Sequence, residues 1–291
     1  MNSRSLVGIF AALLTALFLL GCSQPVEKPQ IKEIKNILGN ITDSETEILT
    51  NVRVYNPNPF PLPLKDVQTG IYMNELKLGE GSALKAEVPA SSESNIVIST
   101  KIDNSKIPEW WVSHLKNGER TEILMRGYLV LDLKVMEFRY PVEFSASLKT
   151  DILSGMGRKE RMDGIEVEAN SSWGAINEGH TEIITLAKVK NQNPYPVMLP
   201  KFRYKLEMNG IEMARGESEV DAVVKPMSEA TIPLRTVIEN SKIKDWWVSH
   251  LKNGEKTKLK MQIIATFEVP GKQVDITVVE DEEWITTEIF S

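Results

Sequence analysis

The segment Trp110–Glu119, WWVSHLKNGE, occurs a second time without change at Trp246–Glu255. Extended backwards, the stretches Asn104–Glu119 and Asn240–Glu255 are identical at 14 of 16 positions. An identity of this length indicates an internal duplication, and the offset of 136 residues is far longer than the roughly 20–50 residues of a solenoid repeat. The chain is therefore predicted to contain two copies of one domain of about 120 residues, close to the commonest domain size.

Other landmarks repeat with nearly the same offset. NPNPFP at Asn56–Pro61 corresponds to NQNPYP at Asn191–Pro196, and MNELKLGEG at Met73–Gly81 corresponds to MNGIEMARG at Met208–Gly216. Both pairs are 135 residues apart. The duplication therefore extends well beyond the near-identical segment, although the two copies have diverged widely elsewhere.

The near-identical segment is predicted to be an amphipathic helix of about three turns. At 100° per residue, one face collects Ile107, Trp111, His114 and Leu115. The opposite face is polar and carries Lys106, Glu109, Ser113 and Lys116, and the second copy repeats both faces. Asn104 or Ser105 is the predicted N-cap, and Asn117-Gly118 supplies the left-handed residue that ends the helix.

The remainder of each copy has the composition of β-strands. Segments such as Glu47–Tyr55, Ile123–Leu133 and Phe138–Leu148 combine alternation with β-branched and aromatic residues. Short strands that are separated by Gly, Asn and Pro, with one helix per copy, predict a small antiparallel sandwich. The prolines of NPNPFP predict a rigid corner, because proline fixes φ and lacks an N–H donor. Docking of a partner on this proline-rich segment is the alternative interpretation.

The N-terminus differs in kind. Residues 6–20 contain no charged side chain, a length typical of a signal peptide and too short for a spanning helix. Leu19-Leu20-Gly21-Cys22 follows at once and resembles the lipobox of prokaryotic lipoproteins, in which the cysteine is acylated. Cys22 is the single cysteine of the chain, so no intrachain disulfide is expected. An uncleaved membrane anchor and a simple secretory signal are the alternatives.

These features predict five segments. They are a lipoprotein signal peptide at residues 1–21, a polar tether at 22–32, a first domain at 33–152, a linker at 153–164 and a second domain at 165–290.

Taken together, the NPNP corner, the downstream motif Asn-Gly with a second glycine, the short helix and the final strands resemble the water-stress and hypersensitive-response (WHy) domain. This domain is the folded, group 2 type of late-embryogenesis-abundant protein. Copy one departs from the pattern with Asn74-Glu75 where copy two has Asn209-Gly210, and copy two has Gln192 in place of the first proline. The resemblance implies two tandem Ig-like or fibronectin-III-like antiparallel β-sandwiches, each with one amphipathic α-helix. It also implies an association with desiccation and water stress.

Motifs of catalysis are not found. The sequence has no HExxH, GxSxG, Walker or paired-cysteine pattern, and we expect no catalytic residue, metal site or cofactor. His114 and His250 occupy equivalent positions in the apolar faces of the two helices and are interpreted as core histidines. The acidic run Glu280–Glu283 lacks the spaced loop of a calcium site and is interpreted as a solvated strand edge. A formal net charge of -6 argues against nucleic acid as a partner.

Two functions are compatible with this sequence. The first is a lipid-anchored, extracytoplasmic protein of the cell envelope that responds to water stress, with the membrane as its partner through the acylated cysteine. The second is an Ig-like adhesion or envelope-assembly module that binds a protein partner. Packing does not explain why the polar helix residues are identical in both copies, so these faces are candidate binding surfaces, or surfaces that pack on each other. Their residues are Lys106, Ser113, Lys116, Lys242, Ser249 and Lys252. The alternative explanation of the identity is shared history, such as local sequence exchange between the copies.

Overall fold

The computed structural model describes residues 27–83, 86–132, 137–154 and 159–287. Within these ranges the chain is mainly β, its sheets are antiparallel, and each copy contains one short helix, so the predicted fold class is confirmed. The strands of the first copy are β1 (Gln30–Ile41), β2 (Glu45–Tyr55), β3 (Leu62–Met73), β4 (Leu76–Ala83), β5 (Ala86–Val88), β6 (Glu93–Asp103), β7 (Arg120–Asp132) and β8 (Glu137–Lys149). Those of the second are β9 (Lys159–Met162), β10 (Ile165–Ile176), β11 (His180–Asn191), β12 (Val197–Met208), β13 (Ile211–Val224), β14 (Ser228–Glu239), β15 (Lys256–Val269) and β16 (Lys272–Thr286).

The helices are α1 (Ile107–Lys116) and α2 (Ile243–Lys252), each preceded by a three-residue 3-10 turn. The predicted N-cap is wrong, because the side chain of Asp103 accepts the hydrogen bond from the Ser105 amide at the start of the 3-10 turn. Asn104 is instead fully buried. The predicted end is confirmed, since Gly118 has a φ of 68° directly after the helix.

The two copies close their sandwiches differently. In the first, one sheet follows the order β1-β2-β6-β4-β3-β7-β8, whereas the second has two separate sheets, β14-β11-β10-β9 and β13-β12-β15-β16. Gly79 accounts for the difference, because a Cβ at this position would lie 1.9 Å from the carbonyl oxygen of Lys101 on β6. Ala214 occupies the equivalent position of β13, which forms no ladder with β14 in the described residues. A glycine therefore permits the close approach of two strands in the first copy.

The hydrophobic core continues from one copy into the other. One buried cluster contains side chains of both copies, among them Ile48 and Trp110 of the first and Phe202 and Trp247 of the second. A separate cluster lies at the far end of the first copy, around Leu62. The half of each sandwich that carries the helix is thus packed against the other copy.

Strands and hydrogen bonds extend into the segments predicted to be tether and linker. The backbone N–H of Glu27 donates to the side chain of Asn58 over 2.8 Å, and the amide nitrogen of Asn58 donates back to the Glu27 carbonyl over 2.9 Å. Strand β1 begins at Gln30, within the predicted tether. Residues 159–162 of the predicted linker form β9, which pairs with β10. Only the part of the tether before Glu27 lies outside the described residues.

Candidate functional site

The two helices pack against each other through their tryptophans. The ring centroids of Trp110 and Trp247 are 5.2 Å apart, and those of Trp111 and Trp246 are 5.4 Å apart. Both pairs meet edge to face, a geometry worth about 0.5–1.5 kcal/mol per pair beyond burial. Of the two alternatives for the duplicated helices, their packing on each other is therefore observed, but it uses the apolar faces and not the polar faces.

Each helix also hydrogen-bonds to the opposite copy. The indole nitrogen of Trp111 donates to the hydroxyl of Thr181 on β11 over 3.2 Å, and that hydroxyl donates to Asn240 over 2.9 Å. The equivalent pair repeats this arrangement, with Trp247 donating to Thr46 of the first copy over 3.2 Å. Thr46 in turn donates to Asn104 over 2.9 Å. The junction therefore has approximate twofold symmetry, with each copy supplying a tryptophan and a threonine.

The two helix histidines are fixed inside closed hydrogen-bond chains. His114 contacts Thr121 through Nδ1 at 2.8 Å and Thr150 through Nε2 at 2.9 Å. The hydroxyl of Thr150 donates to Glu119, so Nε2 of His114 carries the proton and donates to Thr150. Trp110 donates to Thr121, which leaves the Thr121 hydroxyl to donate to Nδ1.

His250 has the same surroundings, with Thr257 at 2.8 Å from Nδ1 and Thr287 at 2.8 Å from Nε2. Burial lowers the pKa of His114 and of His250 from 6.5 to about 4, because a charged imidazolium would lose its hydration. Both rings are 1% exposed, so the interpretation of core histidines is supported. All four ring nitrogens of the two histidines are engaged in these hydrogen bonds, so none has capacity left for a substrate or a metal.

The identity of Glu119 in the two copies has a structural explanation. It is buried, and it adopts a left-handed backbone conformation with φ of 58° directly after Gly118, as Glu255 does with φ of 57°. Such a backbone conformation is unfavourable for residues other than Gly, Asn and Asp. The carboxylate accepts hydrogen bonds from the Ile152 amide at 2.7 Å and from the Trp173 indole at 2.8 Å, and Trp173 belongs to the second copy. Glu119 therefore links its own copy to the other one.

The NPNPFP segment forms a corner that is organised by its first asparagine. The amide nitrogen of Asn56 donates to the carbonyls of Phe60, Val88 and Pro89, and its oxygen accepts from the Asn58 amide at 2.9 Å. Asn191 makes the same set of bonds in the second copy. These bonds favour a structural role for the motif over a docking segment.

The asparagine of the second motif connects the β-hairpin to the helix. Asn74 donates to the Ser113 hydroxyl at 3.1 Å and accepts from the Glu122 amide at 2.9 Å. Asn209 makes equivalent bonds to Ser249 and Lys258. Sequence reasoning missed this role and those of Thr46, Thr181, Asn104 and Asn240. The repeated asparagines were the available signal.

The predicted binding residues separate into two groups. Ser113 and Ser249 are half-buried and donate to the carbonyls of Trp110 and Trp246. The ammonium of Lys106 donates to the Lys77 carbonyl at 3.0 Å, and that of Lys242 lies 3.8 Å from Glu239. Lys116 and Lys252 are exposed. Four of the six candidates thus have local structural contacts, whereas these two lysines present their charge to solvent.

The acidic run lies on β16, an edge strand of the second copy. Glu282 forms ion pairs with Lys258 and Lys260, which lower its pKa. Partial burial raises the pKa of Glu283, with a further contribution from the neighbouring Asp281. Within the described residues, no group of three or more His, Cys, Asp or Glu side chains is arranged to hold a metal ion.

The predicted acylation site, Cys22, and the apolar segment before it lie outside the described residues. Among the helices that the structure does describe, neither has the length and apolar character needed to span a membrane.

Several solved structures are similar to this chain. A protein of Archaeoglobus fulgidus is 34% identical over 42% of this chain and 98% of its own, with a TM-score of 0.40. AT1g01470 of Arabidopsis thaliana is 17% identical over 45% of this chain and 89% of its own, with a TM-score of 0.33. A β-glucuronidase of glycoside hydrolase family 2 is 10% identical, and this chain spans 24% of it, with a TM-score of 0.25. None of the curated proteins matches the chain.

The family model described as "Late embryogenesis abundant protein" matches residues 51–145 and again residues 186–281. The two matches lie in the two copies and together cover more than half of the chain. Proteins of this family are generally non-enzymatic. The chain therefore belongs to the late embryogenesis abundant family, with one family unit in each of its two copies.

Proposed function

We propose that this protein is a non-enzymatic, lipid-anchored and extracytoplasmic member of the family, of the WHy type, that acts in the response to desiccation and water stress. The observation that carries the proposal is that the buried polar groups around the two helices are hydrogen-bonded to one another. The histidines, threonines and glutamates around both helices satisfy one another within each copy. Hydrogen bonds from Trp111, Trp173 and Trp247 join the two copies. Polar groups that already satisfy one another suit a stable binding or shielding domain better than a catalytic site.

The structure of the junction supports a protective role that depends on a folded state. The core is continuous between the copies, and four tryptophans on the two helices are almost completely buried, as Trp110 and Trp247 illustrate. No intrachain disulfide stabilises this fold, since the chain has a single cysteine. Disordered, hydrophilic late-embryogenesis-abundant proteins offer no model for it, because their composition prevents the formation of a core.

The position of Cys22 supports anchoring close to the membrane. Glu27 is fixed to Asn58 by two hydrogen bonds, and only five residue steps separate it from Cys22. Five extended residues span at most about 18 Å. Two acyl chains or more give stable membrane attachment, whereas one gives marginal binding. Acylation of Cys22 would therefore hold the first copy, with its NPNP corner, near the lipid surface.

Anchoring and export are tested by the intact mass of the native protein. We expect a mature chain that begins at Cys22 and carries additional acyl mass. A cytosolic chain that retains residues 1–21 would refute this part of the proposal.

The stress role is tested by deletion of the gene, followed by measurement of survival after drying and after osmotic shock. Expression of the chain with Cys22→Ala in the deleted strain provides a matched control, since it separates the need for the folded domains from the need for the anchor. We expect the deletion strain to survive drying and osmotic shock less well than its parent, and to grow as its parent does without stress. A deletion strain that survives drying as well as its parent would refute the role.

The second candidate function is an envelope-assembly module that binds a protein partner. The observation that favours it is the exposure of Lys116 and Lys252 at the C-terminal ends of two helices whose apolar faces are buried. The double variant Lys116→Glu and Lys252→Glu should keep its thermal stability and lose crosslinking to a partner in unstressed cells. Lys190→Glu, at an exposed position of β11, is the matched control. Unchanged crosslinking in the double variant would remove this candidate.

A further inference from the structure

The outer face of the first copy carries a depression of about 650 Å³ between strands β4, β3, β7 and β8. Gly70 is one of the residues that line it. In the strand register Gly70 is opposite Glu80 on one side and Arg126 on the other, and Arg126 is opposite Glu143. Because Gly70 has no side chain, the ring of Tyr72 can lie against its backbone, where a Cβ would be 3.0 Å from that ring. We call this feature the outer-face depression.

Two tyrosines form walls of the outer-face depression. The ring of Tyr72 lies under the guanidinium of Arg126, whose carbon is 4.7 Å from the ring centroid. This cation–π contact fixes the guanidinium beside Gly70 and leaves its N–H groups available. Tyr128 is 47% exposed and lies between Gln68 and Pro141 in the register. The volume lies within the range of about 300–1,000 Å³ that is usual for small-molecule sites.

The second copy provides an internal comparison. The register places Lys205 opposite Gln262 and Arg203 opposite Ile264, as it places Gly70 opposite Arg126 and Gln68 opposite Tyr128. A smaller depression of about 430 Å³ remains there, lined by these four residues and their neighbours. Glu207 and Ile264 stand where the first copy has Tyr72 and Tyr128, and the aromatic side chain that lines this depression is Tyr204, at a different position. The register of the two central strands is shared, but the depression of the first copy also includes residues of β8, whereas that of the second includes none of β16.

The charges around the outer-face depression are nearly balanced. Glu80 is paired with Lys77 at 2.6 Å. The carboxylate of Asp66 accepts from the Val67 amide and from the side chain of Gln68. This leaves Arg126 and Glu143 as adjacent groups of opposite sign. The lining has two cations and three carboxylates, so it disfavours an anion, and it offers donors and acceptors side by side.

We propose that the outer-face depression binds a neutral saccharide. Arg126 covers the ring of Tyr72, so the exposed ring of Tyr128 is the one that can pack against the apolar C–H face of a sugar ring. Sugar hydroxyls both donate and accept, which suits the adjacent guanidinium, carboxylate and amide of Arg126, Glu143 and Gln68. A ligand of this kind needs no net charge in its site. The second copy has Ile264 in place of the exposed Tyr128 and is expected not to bind it.

The experiment is saturation-transfer NMR on the full chain with maltose, cellobiose, lactose and sucrose as separate probes. We expect transfer to the ring protons of at least one disaccharide. Tyr128→Ile, which introduces the residue of the second copy, should weaken binding at least tenfold, and Gly70→Lys should abolish it. Ile264→Ala, at the equivalent position of the second copy, is the matched control and should bind as the unchanged chain does.

Tyr128→Ile alters a half-exposed side chain, so its melting temperature should remain within a few degrees of that of the unchanged chain. The proposal is overturned if none of the four probes receives saturation, or if Tyr128→Ile binds as well as Ile264→Ala does. It is also overturned if methyl glucuronide, an anionic probe, is bound more tightly than the neutral disaccharides.

Discussion

The two buried histidines predict a stability that depends on pH in a defined window. Each ring has a pKa of about 4 in the folded chain, against 6.5 when the ring is hydrated. Because the unfolded state binds protons more readily, the free energy of unfolding is at its full value above about pH 6.5 and falls as the pH approaches 4. Between pH 7.5 and 5.0 the expected loss is roughly 2 kcal/mol for each histidine and roughly 4 kcal/mol for both.

This window separates the histidines from the carboxylates. Glu47 and Asp103 have pKa values lowered below 4.5 and 3.8, mainly by hydrogen bonds from Ser99 and Ser105. Their contribution to stability is present above those values and is lost only as the pH falls below them. A loss of roughly 4 kcal/mol is a large fraction of the usual 5–15 kcal/mol of a folded domain, so it is measurable.

The assay is urea-induced unfolding at pH 7.5 and 5.0, followed by tryptophan fluorescence. The unchanged chain should lose roughly 4 kcal/mol between the two conditions, His114→Gln or His250→Gln roughly 2 kcal/mol, and the double variant almost nothing. The NMR titration of the two imidazoles provides a direct check. The reasoning is refuted if either ring titrates above about pH 5.5 in the folded chain, or if the double variant retains the pH dependence of the unchanged chain.

Three further predictions concern single side chains. Trp111→Phe and Trp247→Phe each remove one hydrogen bond between the copies and should lower the free energy of unfolding in urea by about 1–2 kcal/mol. The two values should be similar because the junction is symmetric. A loss of stability in one variant alone would contradict the symmetry. Glu75 has a φ of 68°, a conformation that favours glycine, so Glu75→Gly should raise the free energy of unfolding by about 1 kcal/mol. Gly210→Glu should lower it by a similar amount. Melting temperatures that stay unchanged in both variants would contradict this prediction. Asn56→Ala leaves three carbonyls and one amide without their partner and should cost on the order of 3 kcal/mol, whereas a cost below about 0.5 kcal/mol would exclude the corner as a determinant of stability.

The local features of each copy could be predicted from the sequence because their signals are local. The helix, its buried face and its end at Gly118 follow from spacing and from the conformational freedom of glycine. The corner at NPNPFP follows from the restriction that prolines place on the backbone. The bonds that complete these features were not predictable, since Asn56 reaches the carbonyl of Val88, 32 residues further along the chain.

The repetition of one segment determined, without any structure, that two equivalent domains with equivalent helices exist. Only the tertiary structure decided what covers the tryptophans. Periodicity identifies the face of a helix that avoids water, but it says nothing about the surface that excludes the water. Here that surface is the other copy, with Trp111 bound to Thr181 and Glu119 bound to Trp173. Whether the strands closed one sheet or two was likewise decided in space, where Gly79 lets two backbones meet.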